Sequence, residues 1–202
     1  MKKINYNSVL FIIIISVIFT GALATINEVT KDRVLMNQEL KQQQAVLYVL
    51  DLPIAKSNAV EVSAMYRSSV KEAQKDNLTY YEGYKDGVMI GYVFPIEGDA
   101  VWGHLKGFIA LTTDLKEVMG VYFLSHSETP GLGGRIDEPQ FKEQFRGIAI
   151  DINDQQSNYI IYRPNPNGQV DSITGATGTS NAVRRILNTN LGYILSTMKG
   201  GN

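Results

Sequence analysis

From Val9 to Ile26 the chain is apolar except for Ser16, Thr20 and Thr25. No other feature limits the fold as strongly. A run of this length meets the roughly 17–25 residues needed to cross a bilayer. In hydrocarbon every backbone polar group must find a partner within the segment, which selects a helix. The three hydroxyls can bond carbonyls of that same helix. The run contains no charged side chain, so it offers no ion pathway of its own. Lys2 and Lys3 precede it and predict a cytoplasmic N-terminus. A second reading is a cleaved leader, with Ala22-Leu23-Ala24 as the small-residue cleavage site. Either way, the remainder of the chain is expected outside the cytoplasm. The expected division is a cytoplasmic tip and transmembrane helix over 1–26, a stalk helix over 27–53, and an extracytoplasmic domain over 54–202.

That domain must be stabilised by packing alone, because the chain has no cysteine. The same absence excludes thiolate metal sites, Cys-ligated clusters and Cys nucleophiles. His104 and His126 lack metal-ligand spacing, so no metal site is expected. Nineteen basic against twenty acidic residues leave a net charge of -1, with no basic stripe to suggest nucleic acid. Any redox chemistry therefore falls to an organic cofactor.

Val29, Met36, Leu40, Leu47 and Leu50 are spaced by seven, four, seven and three residues, which predicts one helical face ended by Pro53. Asn58–Lys75 reads as a second helix, with Val62, Met65, Tyr66, Val70 and Ala73 on one side. Strands are predicted over Leu78–Tyr84 and Val88–Ile96 around an Asp86-Gly87 hairpin turn. A second turn is expected at Glu97-Gly98-Asp99. Two further strands, Gly107–Leu111 and Val118–Leu124, flank a turn at Asp114. A loop over His126–Gly134 and a short helix over Pro139–Phe145 follow. Strands are then expected over Gly147–Ile152 and Tyr159–Tyr162, with a turn over Pro164–Gly168. Asn181–Met198 is the closing helix, with Val183, Ile186, Leu187 and Ile194 on one face. Strands joined by short turns predict an α+β domain, a mainly antiparallel twisted sheet with flanking helices behind one N-terminal transmembrane helix.

Two segments are poor in packing residues and rich in backbone donors. One is His126-Ser127-Glu128-Thr129-Pro130-Gly131-Leu132-Gly133-Gly134. The other is Asp171-Ser172-Ile173-Thr174-Gly175-Ala176-Thr177-Gly178-Thr179-Ser180. Glycines admit a close backbone approach, Leu132 can cover a ring face, and a helix start can hold phosphate. The plainer reading is a connecting turn followed by a helix N-terminus capped by Thr179 or Ser180. Trp102 and the tyrosines are ordinary sheet and core material. Neither histidine shows a partnered carboxylate in the sequence. No nucleophile elbow or dinucleotide fingerprint is present, which ranks an exported Ser or Thr hydrolase last.

The second segment resembles the flavinylation motif D-x-x-[ST]-G-A-T-x-[ST] of the FMN-binding domain family. The first resembles that family's H-x-E-T-P-G-L-G element. The two lie 45 residues apart, at 126 and 171, in the family's order. The resemblance implies FMN bound covalently, its phosphate esterified to Thr177. It implies that Asp171, Thr174, Gly175, Ala176 and Thr177 are read by a flavin transferase during maturation. It also implies that Glu128, Thr129, Gly131 and Leu132 lie against the flavin, with Thr174, Gly175 and Ala176 beside it. Within the family the chain is similar to G subunits of Rnf-type ferredoxin:NAD oxidoreductase complexes. It is also similar to C subunits of sodium-pumping NADH:quinone oxidoreductases, which Val101-Trp102-Gly103 and Gly107–Leu111 resemble more. The implied role is electron relay among membrane subunits that move ions, with no catalysis by this subunit alone. A non-redox assembly or binding module is the alternative from another class.

Overall fold

The polar stretch after the apolar run does not interrupt its helix. In the computed structural model, which describes residues 6–53, 58–152 and 158–199, α1 runs unbroken over Tyr6–Val49. Lys2 and Lys3 lie outside the described residues. Thr25 Oγ1 donates to the Gly21 carbonyl at 2.8 Å, so this hydroxyl is satisfied inside the helix. Side chains from Tyr6 to Glu39 are exposed, and α1 is long and apolar enough to cross a membrane. The chain divides into two compact units, Met1–Glu39 and Leu40–Asn202.

The second unit is built on a six-stranded sheet in the order β1-β2-β3-β4-β5-β6. Its strands are β1 (Val70–Lys75), β2 (Leu78–Lys85), β3 (Val88–Asp99), β4 (His104–Thr112), β5 (Glu117–Ser125) and β6 (Ile148–Ala149). Every neighbouring pair is antiparallel. Helices cover both faces of the sheet: α2 (Ala59–Ser69), α3 (Pro139–Lys142) and α4 (Thr177–Lys199) join the last turns of α1. The predicted α+β class and antiparallel sheet hold.

Side chains alternate between two cores, as a period of two requires. On β3 and β4, Phe94, Ile96, Ile109 and Leu111 face the core made by α4, Ile136, Phe141 and Phe145. Val93, Phe108 and Ala110 face the other core, made by Ala45, Val46, Leu47 and Val49 of α1 with Val62 of α2. The second core is bolted by polar groups. Arg146 donates to the carbonyls of Met119 and Tyr48, the latter at 2.8 Å, and its Nε reaches Glu143 at 2.7 Å. The Tyr48 hydroxyl also donates to Glu143. Burial pushes that phenol up to about 12, with the Glu143 contact adding to the shift. Lys142 is buried, with Nζ 4.3 Å from the Tyr122 ring centroid, and burial lowers its pKa.

Four expectations require correction. The helix predicted over Asn58–Lys75 ends at Ser69, and Val70–Lys75 is the edge strand β1. The exposed edge carries Lys71 and Glu72, charges that a lone edge strand needs against further pairing and that mimic a helix surface. Glu97-Gly98-Asp99 is not a turn but the end of β3, paired with Leu105 across Gly98. A Cβ at Gly98 would lie 2.8 Å from Ile186 Cγ1, so glycine marks where α4 presses on the strand. Among the described residues, Tyr159–Tyr162 joins no ladder and makes one parallel bridge, Tyr162 to Val170. Instead the Asn188 side chain serves Ile160, accepting its N–H at 2.8 Å and donating to its carbonyl at 2.9 Å. Of Gly147–Ile152, only Ile148–Ala149 is strand.

Candidate functional site

The closing helix begins four residues before its predicted start. Ala176 N–H donates to the Ile173 carbonyl at 3.0 Å, closing a turn in which Gly175 has φ 79°. A left-handed residue at that point favours glycine. Ser180 N–H then donates to Ala176 O at 3.0 Å, so the helix starts directly after the turn. Neither Thr179 nor Ser180 is the N-cap. Both are buried in the first turn. Ser180 Oγ accepts the Ile173 N–H at 2.9 Å and donates to the Ala176 carbonyl at 3.1 Å, tying the turn to the helix. Thr177 becomes the first helical residue, and it is exposed. The N–H groups of Thr177, Gly178 and Thr179 precede the first helical donor, where the positive end of the helix dipole lies.

The loop after β5 is shaped by its own backbone. The Thr129 carbonyl accepts the N–H of Leu132 at 3.2 Å and of Gly134 at 2.9 Å, with Gly131 at φ 73° between them. This leaves Thr129, Gly131 and Leu132 at the surface, Leu132 being 49% exposed. His126 stabilises the loop's entry: its Nδ1 takes the Glu128 N–H at 3.1 Å, and its Nε2 faces Asp137 at 3.0 Å. The backbone donor fixes Nδ1 as acceptor, so the neutral ring carries its proton on Nε2. His104 is partnered too, by Asp99 at 3.0 Å and Glu97 at 3.4 Å. Hydrogen bonds from the ring to these carboxylates raise its pKa. Neither partnership was visible in the sequence, because both are made across a turn or loop.

A third segment, not expected at the site from the sequence, completes it. The turn between β3 and β4 brings up Val101 and Trp102, which are 49% and 68% exposed. A Cβ at Gly178 would lie 3.3 Å from Val101 Cγ2, and one at Gly175 would lie 3.6 Å from Leu132 Cδ2. The two glycines that bracket Thr177 are thus flanked by apolar side chains from two different loops. The signal that could have found Trp102 is its place in a turn, where an apolar ring has no core to enter.

Glu128 joins the three segments from below. It is 4% exposed. Its Oε1 accepts the N–H groups of Val101 and Trp102, both at 2.9 Å, and its Oε2 accepts the Thr179 hydroxyl. Its carboxylate is therefore turned inward, away from the exposed surface of the loop. Asp171 is exposed and held by Arg163 at 2.8 Å, while its N–H donates to Gln144 Oε1 at 2.7 Å. Thr174 and Gly175 are exposed, and Ala176 is buried. Asp171, Ser172 and Thr174 also line a small cleft of about 140 Å³ with Arg135, Glu138 and Gln144. Among the described residues no cluster of His, Asp and Glu could hold a metal ion.

Residues 101–192, which contain all of these segments, match the family of FMN-binding domains. The C subunit of the Na(+)-translocating NADH-quinone reductase of Pseudomonas aeruginosa is 35% identical over 132 residues, 62% of this chain and 50% of that protein. The chain thus spans about half the length of that relative. The G subunit of the ion-translocating oxidoreductase complex of Methanosarcina acetivorans is 27% identical over 183 residues, covering 90% of each chain. In fold, the chain is similar to the crystal structure of the C subunit of the Na(+)-translocating NADH-quinone reductase from Parabacteroides distasonis. The TM-score is 0.70 at 23% identity, over 85% of this chain and 98% of that one.

Proposed function

We propose, from the FMN-binding domain matched over residues 101–192, that this chain is the flavin-carrying electron-transfer subunit of a membrane-bound, ion-translocating oxidoreductase of the Rnf type. In this reading FMN is joined through its phosphate to the Thr177 hydroxyl. Residues 1–26 hold a single-pass anchor with the N-terminus in the cytoplasm, and the stalk expected over 27–53 leads into the extracytoplasmic flavin domain, whose core includes its last residues, from Ala45 on. One observation carries the site assignment: Thr177 is an exposed hydroxyl on the first residue of a long helix, between apolar side chains of two other loops.

The residues present fit the cofactor. A phosphoester at Thr177 would meet the free N–H groups and positive dipole of α4, an attraction of about 0.3–2 kcal/mol. That is too little to retain a cofactor outside the cell, and a covalent link removes the loss by dilution. Leu132, Val101 and Trp102 supply flat apolar surface, and Gly175 and Gly178 leave room for close approach. The bound FMN would supply one- and two-electron transfer, while the chain's own residues position it and exclude water from one face. The exposed Asp171 and Thr174 suit recognition by a flavin transferase, since a docking enzyme can reach them. The partners are then the other membrane subunits of the complex.

The alignment with a G subunit over 90% of both chains supports the Rnf reading over the second one, a quinone-reductase C subunit. The higher identity to C subunits favours that second reading. The test is co-expression with a flavin transferase, followed by a denaturing gel under ultraviolet light and an intact mass. A fluorescent band of FMN-increased mass is expected, lost in Thr177→Ala. A band that persists in that variant refutes the site. A chain without visible absorption refutes the flavin and favours a non-redox assembly module.

A further inference from the structure

We propose that Glu128 is the positioning residue of this site: its buried carboxylate clamps three segments around Thr177 and fixes a negative charge there that lowers the flavin's reduction potential. Glu128 is the one carboxylate among the buried polar side chains of the described residues. Among those residues no Lys or Arg forms an ion pair with it. Its contacts are the N–H groups of Val101 and Trp102 and the hydroxyl of Thr179. All of these are donors, the arrangement that suits an ionised carboxylate. A buried charge without such partners would be costly. Here the charge is carried by two backbone dipoles and by the positive end of α4.

The clamp is shaped for this side chain. A Cβ at Gly133 would lie 2.4 Å from Thr179 Oγ1 and 2.7 Å from Glu128 Oε2, so only glycine lets the loop close over the contact. The backbone of Glu128 is itself fixed by His126 Nδ1. One side chain thus sets the spacing between Trp102, the 126–134 loop and the helix turn that bears Thr177. Glu128 does this without reaching the exposed surface that would meet a ring.

The electrostatic half rests on the flavin reading of Thr177. Reduction adds electrons to the flavin, so a fixed negative charge nearby opposes it. Neutralising that charge favours reduction. Glu128→Gln is the informative variant, because its amide oxygen still accepts both N–H groups and its NH₂ can donate to Thr179 Oγ1.

Two measurements on the full-length chain test the two halves separately. The first needs no flavin. Trp102 is the chain's only tryptophan, so its fluorescence anisotropy in a Thr177→Ala background reports the clamp. A clear loss of anisotropy is expected in Glu128→Ala and restoration in Glu128→Gln, with circular dichroism checking that both fold. Unchanged anisotropy in a folded Glu128→Ala overturns the clamp. If Glu128→Ala does not fold, Thr179→Val gives the same readout at one contact. The second is a spectroelectrochemical titration of the flavinylated chain. Glu128→Gln is expected to move the midpoint upward by a several-fold change in the oxidised-to-reduced ratio, where tenfold is about 59 mV for one electron. Thr179→Val keeps the charge and is expected to move it much less. An unmoved midpoint in Glu128→Gln, or an equal shift in Thr179→Val, overturns the electrostatic role. A wild-type chain that takes up no flavin refutes the flavin reading and this half with it, and the anisotropy still decides the clamp.

Discussion

Arg146 Nη2 donates to the Tyr48 carbonyl at 2.8 Å, joining residues 98 positions apart in the chain. The same guanidinium reaches the Met119 carbonyl and Glu143, and its Cζ lies 4.9 Å from the Tyr48 ring centroid. Helices end with unsatisfied carbonyls, and here a side chain from another element caps α1. Arg146→Ala should cost about 1–3 kcal/mol in denaturant melts, since it removes a charged donor from the Met119 carbonyl, while the Tyr48 carbonyl keeps the Asp51 N–H at 3.1 Å. Arg146→Lys should recover only part of this, because a point charge cannot span two carbonyls.

Glu143 gives that cluster a pH dependence. Burial alone would raise its pKa, but hydrogen bonds from Tyr48 and Arg146 hold it below its ordinary 4.5. A carboxyl depressed in the folded state adds stability that is present above its unfolded value and lost as pH falls through the folded one. Wild type should therefore melt above Glu143→Gln at pH 7, and the gap should close as pH falls below about 4.5. A gap independent of pH would refute the assignment.

Two glycines of one loop should respond differently to the same change. Gly133→Ala forces a Cβ against Thr179 Oγ1 and Glu128 Oε2, and overpacking of this kind costs about 1–3 kcal/mol. Gly131 has φ 73° but open space around its Cβ position. Gly131→Ala should thus cost only backbone strain, about 1 kcal/mol. Equal melting temperatures for the two variants would contradict the packing described.

Asn188→Leu should cost about 2–4 kcal/mol, because it leaves the N–H and carbonyl of Ile160 without partners. Asn188→Asp keeps only the acceptor and should fall between the two. Thermal melts with matched circular dichroism distinguish these outcomes.

The central sheet was legible because its strands alternate strongly and their turns carry glycine and aspartate. Asp86 and Gly87, at φ 52° and 79°, form the hairpin turn their identities implied. The edges were not legible. β1 reads as a helix because its solvent-facing charges pair with no core face. Tyr159–Tyr162 reads as a strand because Ile160 and Tyr162 are buried as they would be in a sheet. The neighbour that satisfies Ile160 is an amide on α4, which no local pattern reveals. At the site, the Thr177 segment and the 126–134 loop were legible as motifs. The start of the helix at Thr177 was not, because the turn over Ile173–Ala176 replaces a side-chain cap. The place of Val101 and Trp102 at the site was hidden because it depends on a loop 26 residues away, through Glu128.

The chain between Ile160 and Ile173 leaves α4 and returns to it, and both of its ends are held by side chains of that one helix. Asn188 holds Ile160, and Ser180 holds Ile173. The two anchors are eight residues apart, about 12 Å along the axis. The segment is therefore a clasp closed on a rod: it cannot swing open at one end without straining the other. Hydrogen exchange at Ile160 and Ile173 should then follow a single opening event shared with the helix, not the fast fraying of a surface loop. Asp171 sits just inside the clasp, so whatever engages it grips a part of the molecule whose motion is that of α4 itself.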